Sequence, residues 1–318
     1  RLDVGGLVEK PSQFALAQLK AMPSRTQITR HDCVEGWSAI GKWIGLPLGA
    51  LLQSVGLKPE ARYIVFHCAD EYEKTLDGSG RYYESIDLVV ANAENAAGGI
   101  GVDIKSAKDL LSAGVHVLTS GNHIWKKKEI YPFLDEHEKL IRPANYPAGA
   151  PGRGWCLWRQ NDLKAIIINI QGRVFMPNHV DDPFRCVDDI LKEHGKEAAV
   201  IIVDMHAEAT SEKVAMGWYL DGRASIVYGT HTHVQTADER ILPGGTAYIT
   251  DLGMCGPLDS VIGMERVNVI QGFLSQLPRQ FEVARENVAL QGIVVELDDK
   301  TGRAREIRRL RVGWEAND

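Results

Sequence analysis

From Val89 onward the chain repeats a pattern that few folds accommodate. Short runs of β-branched and aliphatic residues, LVVAN, VHVLTS, KAIIINI, AVIIVD, ASIVYG, TAYITD and GIVVELD, alternate with helical or Gly/Pro-rich stretches. A strand with one face in water alternates apolar and polar residues, whereas an unbroken apolar run needs cover on both faces, as a layered α/β sheet provides. Between the runs, SAKDLLSAG and FRCVDDILKEHG carry apolar residues at helical spacing, and each stops at a glycine placed to cap it. The expected fold class is α/β, a layered sandwich.

The chemistry-bearing side chains fall just past these runs. LVVAN leads into Glu94 and Asn95, VHVLTS into Asn122 and His123, AVIIVD into His206, and ASIVYG into His231 and His233. In open α/β sheets ligands gather beyond the C-terminal strand ends, where the loops diverge around a crevice. Imidazoles, a carboxylate and an amide oxygen make a mixed N/O shell suited to iron, manganese or zinc, not to calcium or a thiolate-bound metal. In an extended segment the i, i+2 pair His231 and His233 would project to one side, each toward a different metal of a close pair. A carboxylate such as Glu94 can bridge two cations. Two metals about 3.5 to 4 Å apart clamp a phosphate and turn a shared water into hydroxide near neutral pH. The bland alternatives are that Glu94 and Asn95 cap the helix after AAGG, and that Asn122 and His123 merely suit a left-handed turn. His116 and His179, alone in their segments, read as structural residues.

Composition narrows the partners. The 36 Lys and Arg against 42 acids give a net charge of −6, so nothing points to nucleic acid or an anionic membrane, and an anionic substrate would need local cations. At 318 residues the default is two compact units. The five cysteines are odd in number and scattered without a CxxC pair, which argues against a disulfide framework or zinc ribbon and for a reducing, cytoplasmic setting. The longest apolar runs fall far short of the ~20 residues that span a bilayer, and no charged-then-apolar leader opens the chain. It begins at Arg1 rather than Met, so an incomplete N-terminus is expected. A homo-oligomer is compatible with the sequence. KKKE at 126–129 reads as a solvated helix turn and REIRRLR at 305–311 as an exposed strand face.

ENAAGG (94–99), TSGNHIW (119–125), RPANYP (142–147), DMHAEATSEK (204–213), GTHTHVQTADERILPGGTAYITDLGM (229–254) and the region around QLPRQFEVA carry a family resemblance. From about Ile86 to the C-terminus the chain resembles the bacterial calcineurin-like metallophosphoesterases that act as 2′,3′-cyclic-nucleotide 2′-phosphodiesterases. The resemblance implies two divalent metal ions, iron or manganese with zinc as the alternative. Glu94 would bridge them, Asn95 and His233 would serve the first, and Asn122, His206 and His231 the second. His123 would be the general acid that protonates the leaving alkoxide, a task that needs a pKa near working pH. The implied substrate is a small-molecule phosphodiester, a cyclic nucleotide or a relative of one.

The N-terminal part differs. VGGLVEKPSQF, TRHDCVEGWSAIGKWIGLPL, ARYIVFHCADE and YYESIDL resemble the start of the molybdopterin-dependent oxidoreductases of the sulfite-oxidase fold, an α+β architecture. In that resemblance Cys33 is the thiolate bonded to molybdenum; without it, Cys33 is a small buried apolar residue. Residues 1–88 carry too little of that fold to enclose the cofactor, so molybdopterin is not expected. The chain reads as a chimera, residues 1–88 from one pattern and 89–318 a metallophosphoesterase domain.

The second pattern lacks its usual first strand, which in that family ends in a Gly-Asp whose aspartate completes the first metal's shell. The expected activity is therefore a phosphodiester hydrolysis weakened by that loss. The alternatives are an oxidoreductase fragment working through Cys33, or a catalytically silent metal-binding regulatory protein. A lost central strand would leave backbone groups unpaired and an apolar face uncovered. RYIVFHCAD either substitutes for it, setting Asp70 in place of the aspartate, or is an ordinary strand of the first module. Asp70→Ala separates the two by metal analysis: lower occupancy favours substitution, and two unchanged metal positions rule it out.

Overall fold

Four of the apolar runs become the parallel inner strands of one sheet. The computed structural model describes residues 2–4, 8–22, 25–32, 38–45, 48–56, 58, 67–71, 81–83, 88–160, 163–298 and 300–313. Backbone proximity divides the chain into two units, Arg1–Ile86 and Asp87–Asp318. Among its described residues the first unit holds three antiparallel strand pairs, Leu2–Val4 with Ser12–Phe14, Arg25–Asp32 with Ser38–Gly45, and His67–Glu71 with Arg81–Tyr83. Two helices, Leu16–Ala21 and Leu48–Val55, accompany them. Cys33 lies outside the described residues, and Asp70 is described only as part of the backbone of His67–Glu71.

The second unit is built on a six-stranded sheet. Its order is Arg240–Ile241, Ala247–Ile249, Ile226–Thr230, Val200–His206, Leu163–Gln171 and Trp155–Gln160. The four inner strands run parallel, and each edge strand is antiparallel to its neighbour. Gln171 stands opposite His206 and His206 opposite Thr230, so three strand ends share one rim.

The two-residue period of a strand explains why these runs are apolar throughout. Ile166, Ile168 and Ile170 turn to one face, with Val203, Met205 and Val227, and pack on Val187 and Ile190 of helix Pro183–His194 and Met216 of helix Thr210–Tyr219. Ala165 and Ile167 turn to the other, with Ile202, Ile226, Tyr228 and Ile249. There they meet Val117, Ile141 and the antiparallel pair Val288–Leu297 and Ala304–Gly313 through Ile293, Val295 and Ile307. Each such side chain, fully buried, contributes about 1.5 to 3 kcal/mol relative to exposure. The arrangement is the expected layered α/β sandwich.

Both sequence-expected helices are present, Ile104–Ser112 and Pro183–His194. Gly114 follows the first with φ +107, as a left-handed cap. Gly195 does not: its φ is −57, and it is glycine because an added Cβ would sit 2.4 Å from the Leu191 carbonyl oxygen. Asp103 caps Ile104–Ser112 by accepting from the Ser106 amide, so Glu94 and Asn95, in the turn before it, are left out of any cap.

Val90–Asn92 pairs in parallel with Val117–Thr119 in a separate two-stranded sheet. Val117–Thr119 is buried throughout, whereas Val90–Asn92 is only half-buried and, among the described residues, pairs along one edge. No helix among the described residues is long and apolar enough to cross a membrane.

Ile167→Ala is expected to cost about 2 to 5 kcal/mol of unfolding free energy, because the buried methylenes leave a cavity between two layers. Leu274→Ala, at a residue 74% exposed, is expected to change it by less than about 0.5 kcal/mol. Urea unfolding followed by tryptophan fluorescence measures both.

Candidate metal centre

The centre is assembled from the inside outward, beginning with a buried carboxylate. Asp204 is wholly buried two residues before the end of its strand. It accepts from Thr230 Oγ1 at 2.7 Å, from Asn92 Nδ2 at 3.0 Å and from the Thr119 hydroxyl. Burial pushes its carboxyl above the ordinary range. Because the Thr230 hydroxyl gives its proton to Asp204, it receives one from His206 Nδ1, 2.9 Å away. That hydrogen bond fixes the tautomer and leaves the His206 Nε2 lone pair facing the rim.

Three more acceptor atoms crowd that Nε2: Glu94 Oε2 at 2.8 Å, Asn122 Oδ1 at 3.0 Å and His231 Nδ1 at 3.1 Å. His231 Nε2 lies 3.2 Å from Glu208 Oε2, so its proton belongs there and Nδ1 carries the free lone pair. One proton satisfies one of these contacts; a cation satisfies all of them. Glu94, His206 and His231 offer ligand atoms within 4.8 Å of one another, and the donor set suits a divalent transition metal. These residues fit a metal ion.

Charge is conditioned to match. Burial alone would raise the Glu94 carboxyl, but with a proton rather than a cation on His206 Nε2 the charged ring, its hydrogen bond to Oε2 and the amide of His123 outweigh burial and hold it at about 2. Burial, then the neighbouring His206, lower His231 to about 4, which keeps its ring neutral and able to ligate at pH 7.

A second group adjoins the first. The His123 amide donates to Glu94 Oε1 at 2.7 Å, and its Nδ1 lies 3.0 Å from Asn95 Oδ1. Burial lowers the His123 pKa against the opposing pull of Glu94. Asn95 Nδ2 in turn lies 3.3 Å from His233 Nε2. His233 Nδ1 donates to the Ile262 carbonyl at 3.0 Å, so its Nε2 is the free atom.

Glu94, Asn95, Asn122, His123, His206, His231 and His233 therefore lie together, in two adjoining subsets joined through Glu94 and His123. The expectation of an extended His231–His233 segment is corrected. Both residues have positive φ, 96° and 65°, and they diverge because of that left-handed backbone, not by strand alternation. His116 is structural, its Nδ1 accepting from the Val89 amide while the ring meets Trp158 edge-on. Sequence reading passed over Asn92, Thr119, Asp204, Thr230 and Glu208. Asp204 sits inside the quoted DMH motif and, as an acid in an apolar run, was the findable signal. Sequence reading gives Gly121, which leads the turn of Asn122 and His123, no role, yet a Cβ there would come within 2.2 Å of His206 Nε2, so only glycine lets the Asn122 loop close on the imidazole.

The comparisons with known proteins bear on both parts of the chain. Residues 72–310 match the family model described as YmdB-like protein, and residues 1–97 match the oxidoreductase molybdopterin binding domain. The 2′,3′-cyclic-nucleotide 2′-phosphodiesterase of Bacillus subtilis (strain 168) is 50% identical over 223 residues, covering 70% of this chain and 84% of the relative. The crystal structure of a novel phosphatase from Mycoplasma pneumoniae superposes with a TM-score of 0.67 at 36% identity, over 71% of this chain and 82% of that one. Toward the N-terminus, the protein-methionine-sulfoxide reductase catalytic subunit MsrP of Xanthomonas axonopodis pv. citri is 42% identical over 66 residues, 20% of this chain and 20% of its own.

Gly121→Ala should push the Asn122 loop off His206 and weaken Mn²⁺ binding by roughly tenfold or more, the scale on which disturbed ligand orientation acts. Isothermal titration against the unsubstituted chain reads the change.

Proposed function

The chain belongs to the YmdB-like phosphoesterases, and from that premise we propose that it hydrolyses 2′,3′-cyclic nucleotides or closely related small phosphodiesters at a centre for two divalent cations. The convergence of Glu94 Oε2, Asn122 Oδ1 and His231 Nδ1 on His206 Nε2 carries this reading. Asn122, His206 and His231 would hold one cation and Asn95 and His233 the other, with Glu94 shared between them. Iron or manganese suits this nitrogen and oxygen set, with zinc the alternative. When bound, the cations supply Lewis acidity at the phosphoryl oxygens and lower the pKa of a water.

The chain's own residues orient and move protons around that centre. His123 Nδ1 donates to Asn95 Oδ1, so in the imidazolium form Nε2 is the atom that would carry the proton for the leaving alkoxide. Burial lowers the pKa of this ring, and a weakly held proton is passed on readily. Asn95 turns its nitrogen toward His233 and its oxygen toward His123, so the amide that would help hold the first cation also orients the acid. With no Gly-Asp strand ahead of Glu94, the first cation has fewer donors, and lower occupancy is expected there.

The match of residues 1–97 supports a second reading for the first unit alone, a fragment of a molybdopterin-binding fold. Elemental analysis of the purified chain separates the two, iron, manganese or zinc being expected and molybdenum not. Chain supplied with Mn²⁺ should convert adenosine 2′,3′-cyclic phosphate to the 3′-phosphate, and EDTA should stop it. His123→Ala should lower kcat by roughly 10²- to 10⁴-fold with bound metal unchanged. No turnover with manganese, iron or zinc overturns the proposal.

A further inference from the structure

Between the two divergent histidines stands Thr232, and beneath it lies a buried ion pair for which the centre so far has no use. Lys213, on helix Thr210–Tyr219, and Asp251 are each 1% exposed, with Lys213 Nζ 2.7 Å from Asp251 Oδ2. An ammonium and a carboxylate removed from water are costly unless every polar atom is matched, and such pairs are weak contributors to stability in themselves. Here the matching groups come from the histidine loop. The Thr232 hydroxyl donates to Asp251 Oδ2 at 2.6 Å and accepts from Lys213 Nζ at 3.0 Å, and the Thr232 amide donates to the same carboxylate oxygen at 3.2 Å. Asp251 Oδ1 takes the Gly253 amide at 2.8 Å.

The surroundings are shaped for this pair. At Gly229 a Cβ would fall 2.7 Å from Lys213 Cδ and 1.8 Å from the Thr250 carbonyl oxygen, so glycine leaves the passage for the lysine stem. The segment after Asp251 is laced to the loop from both sides, Leu252 N to Gly229 O at 3.0 Å and Met254 N to His233 O at 3.1 Å. The residues flanking Thr232 both hold positive φ, which non-glycine residues keep only when their surroundings impose it.

We infer that Lys213 and Asp251 are positioning residues for the metal centre: their buried pair grips Thr232 and holds the left-handed backbone that sends His231 toward His206 and His233 toward Asn95. The assignment rests on the two-cation reading above. Without the grip the loop relaxes toward ordinary φ values and the imidazoles no longer face separate partners. Thr232 is the point of transmission, and it can be altered without removing either buried charge.

The test is Thr232→Val, which keeps the β-branched shape and the amide but deletes the hydroxyl, beside Thr232→Ser, which restores the hydroxyl. Mn²⁺ affinity and stoichiometry are read by titration, and folding by thermal melting without metal. Thr232→Val is expected to weaken Mn²⁺ binding by roughly 10- to 100-fold, the usual effect of losing an outer-shell partner of metal ligands. Thr232→Ser is expected to bind like the parent. Lys213→Met should lose both stability and affinity. Thr232→Val binding with parental affinity while Lys213→Met only lowers the melting temperature makes the pair structural and overturns the inference. A parent chain that binds no Mn²⁺, Fe²⁺ or Zn²⁺ sinks the two-cation reading itself, and a parent that binds while the variants agree sinks only the positioning role.

Discussion

The crowding of unshared electron pairs around His206 Nε2 is the constraint on which the rest of this molecule turns. An oxygen of Glu94, an oxygen of Asn122 and a nitrogen of His231 all come within about hydrogen-bond distance of one ring nitrogen, in a place nearly closed to water. A fold does not sustain that arrangement by hydrophobic packing; it is held against repulsion by groups further in. Asp204, Thr230, Asn92 and Thr119 lock the far side of the imidazole, and Gly121 lets the facing loop close. The sandwich supplies the platform, because its parallel register brings Gln171, His206 and Thr230 level at one rim.

Buried charge is distributed with the same economy. Glu94 stays ionised because histidine and a backbone amide surround it, while Asp204, deeper, is pushed toward its neutral form and balanced by three donors. Lys213 and Asp251 neutralise each other, and their remaining bonding capacity is directed at a single loop residue. Glu94, Asp204 and the Lys213–Asp251 pair thus each tie down residues from distant parts of the chain, which explains how those elements arrive at one point with their ligand atoms aimed.

Val90–Asn92 is half-buried and paired on one edge among the described residues, although its partner Val117–Thr119 is buried completely. The family matches overlap across the same stretch, one ending at residue 97 and the other beginning at 72. The residues that follow this strand, Glu94 and Asn95, reach the centre because the Glu94 amide is tied to Asn92 Oδ1 and the Ala93 amide to the Thr119 carbonyl.

Much of this was legible in the residues. Unbroken apolar runs demanded a sheet covered on both faces, and all seven of the quoted runs lie in strands. Polar residues placed just beyond them demanded a common rim, since parallel strands share their ends; from that alone the seven candidate residues could be named. Trp155–Gln160 was not legible, because its apolar character is broken by arginine and glutamine at an edge where one side needs no cover. What the sequence determined by itself was the layered frame and the inventory of ligand atoms, because periodicity and residue chemistry are local. Only the tertiary structure decided where each histidine points, which nitrogen is free, and that Lys213, Asp251 and Asp204 stand behind them: those follow from left-handed backbone at His231 and His233 and from hydrogen bonds between residues 19 to 112 positions apart, which no local pattern encodes.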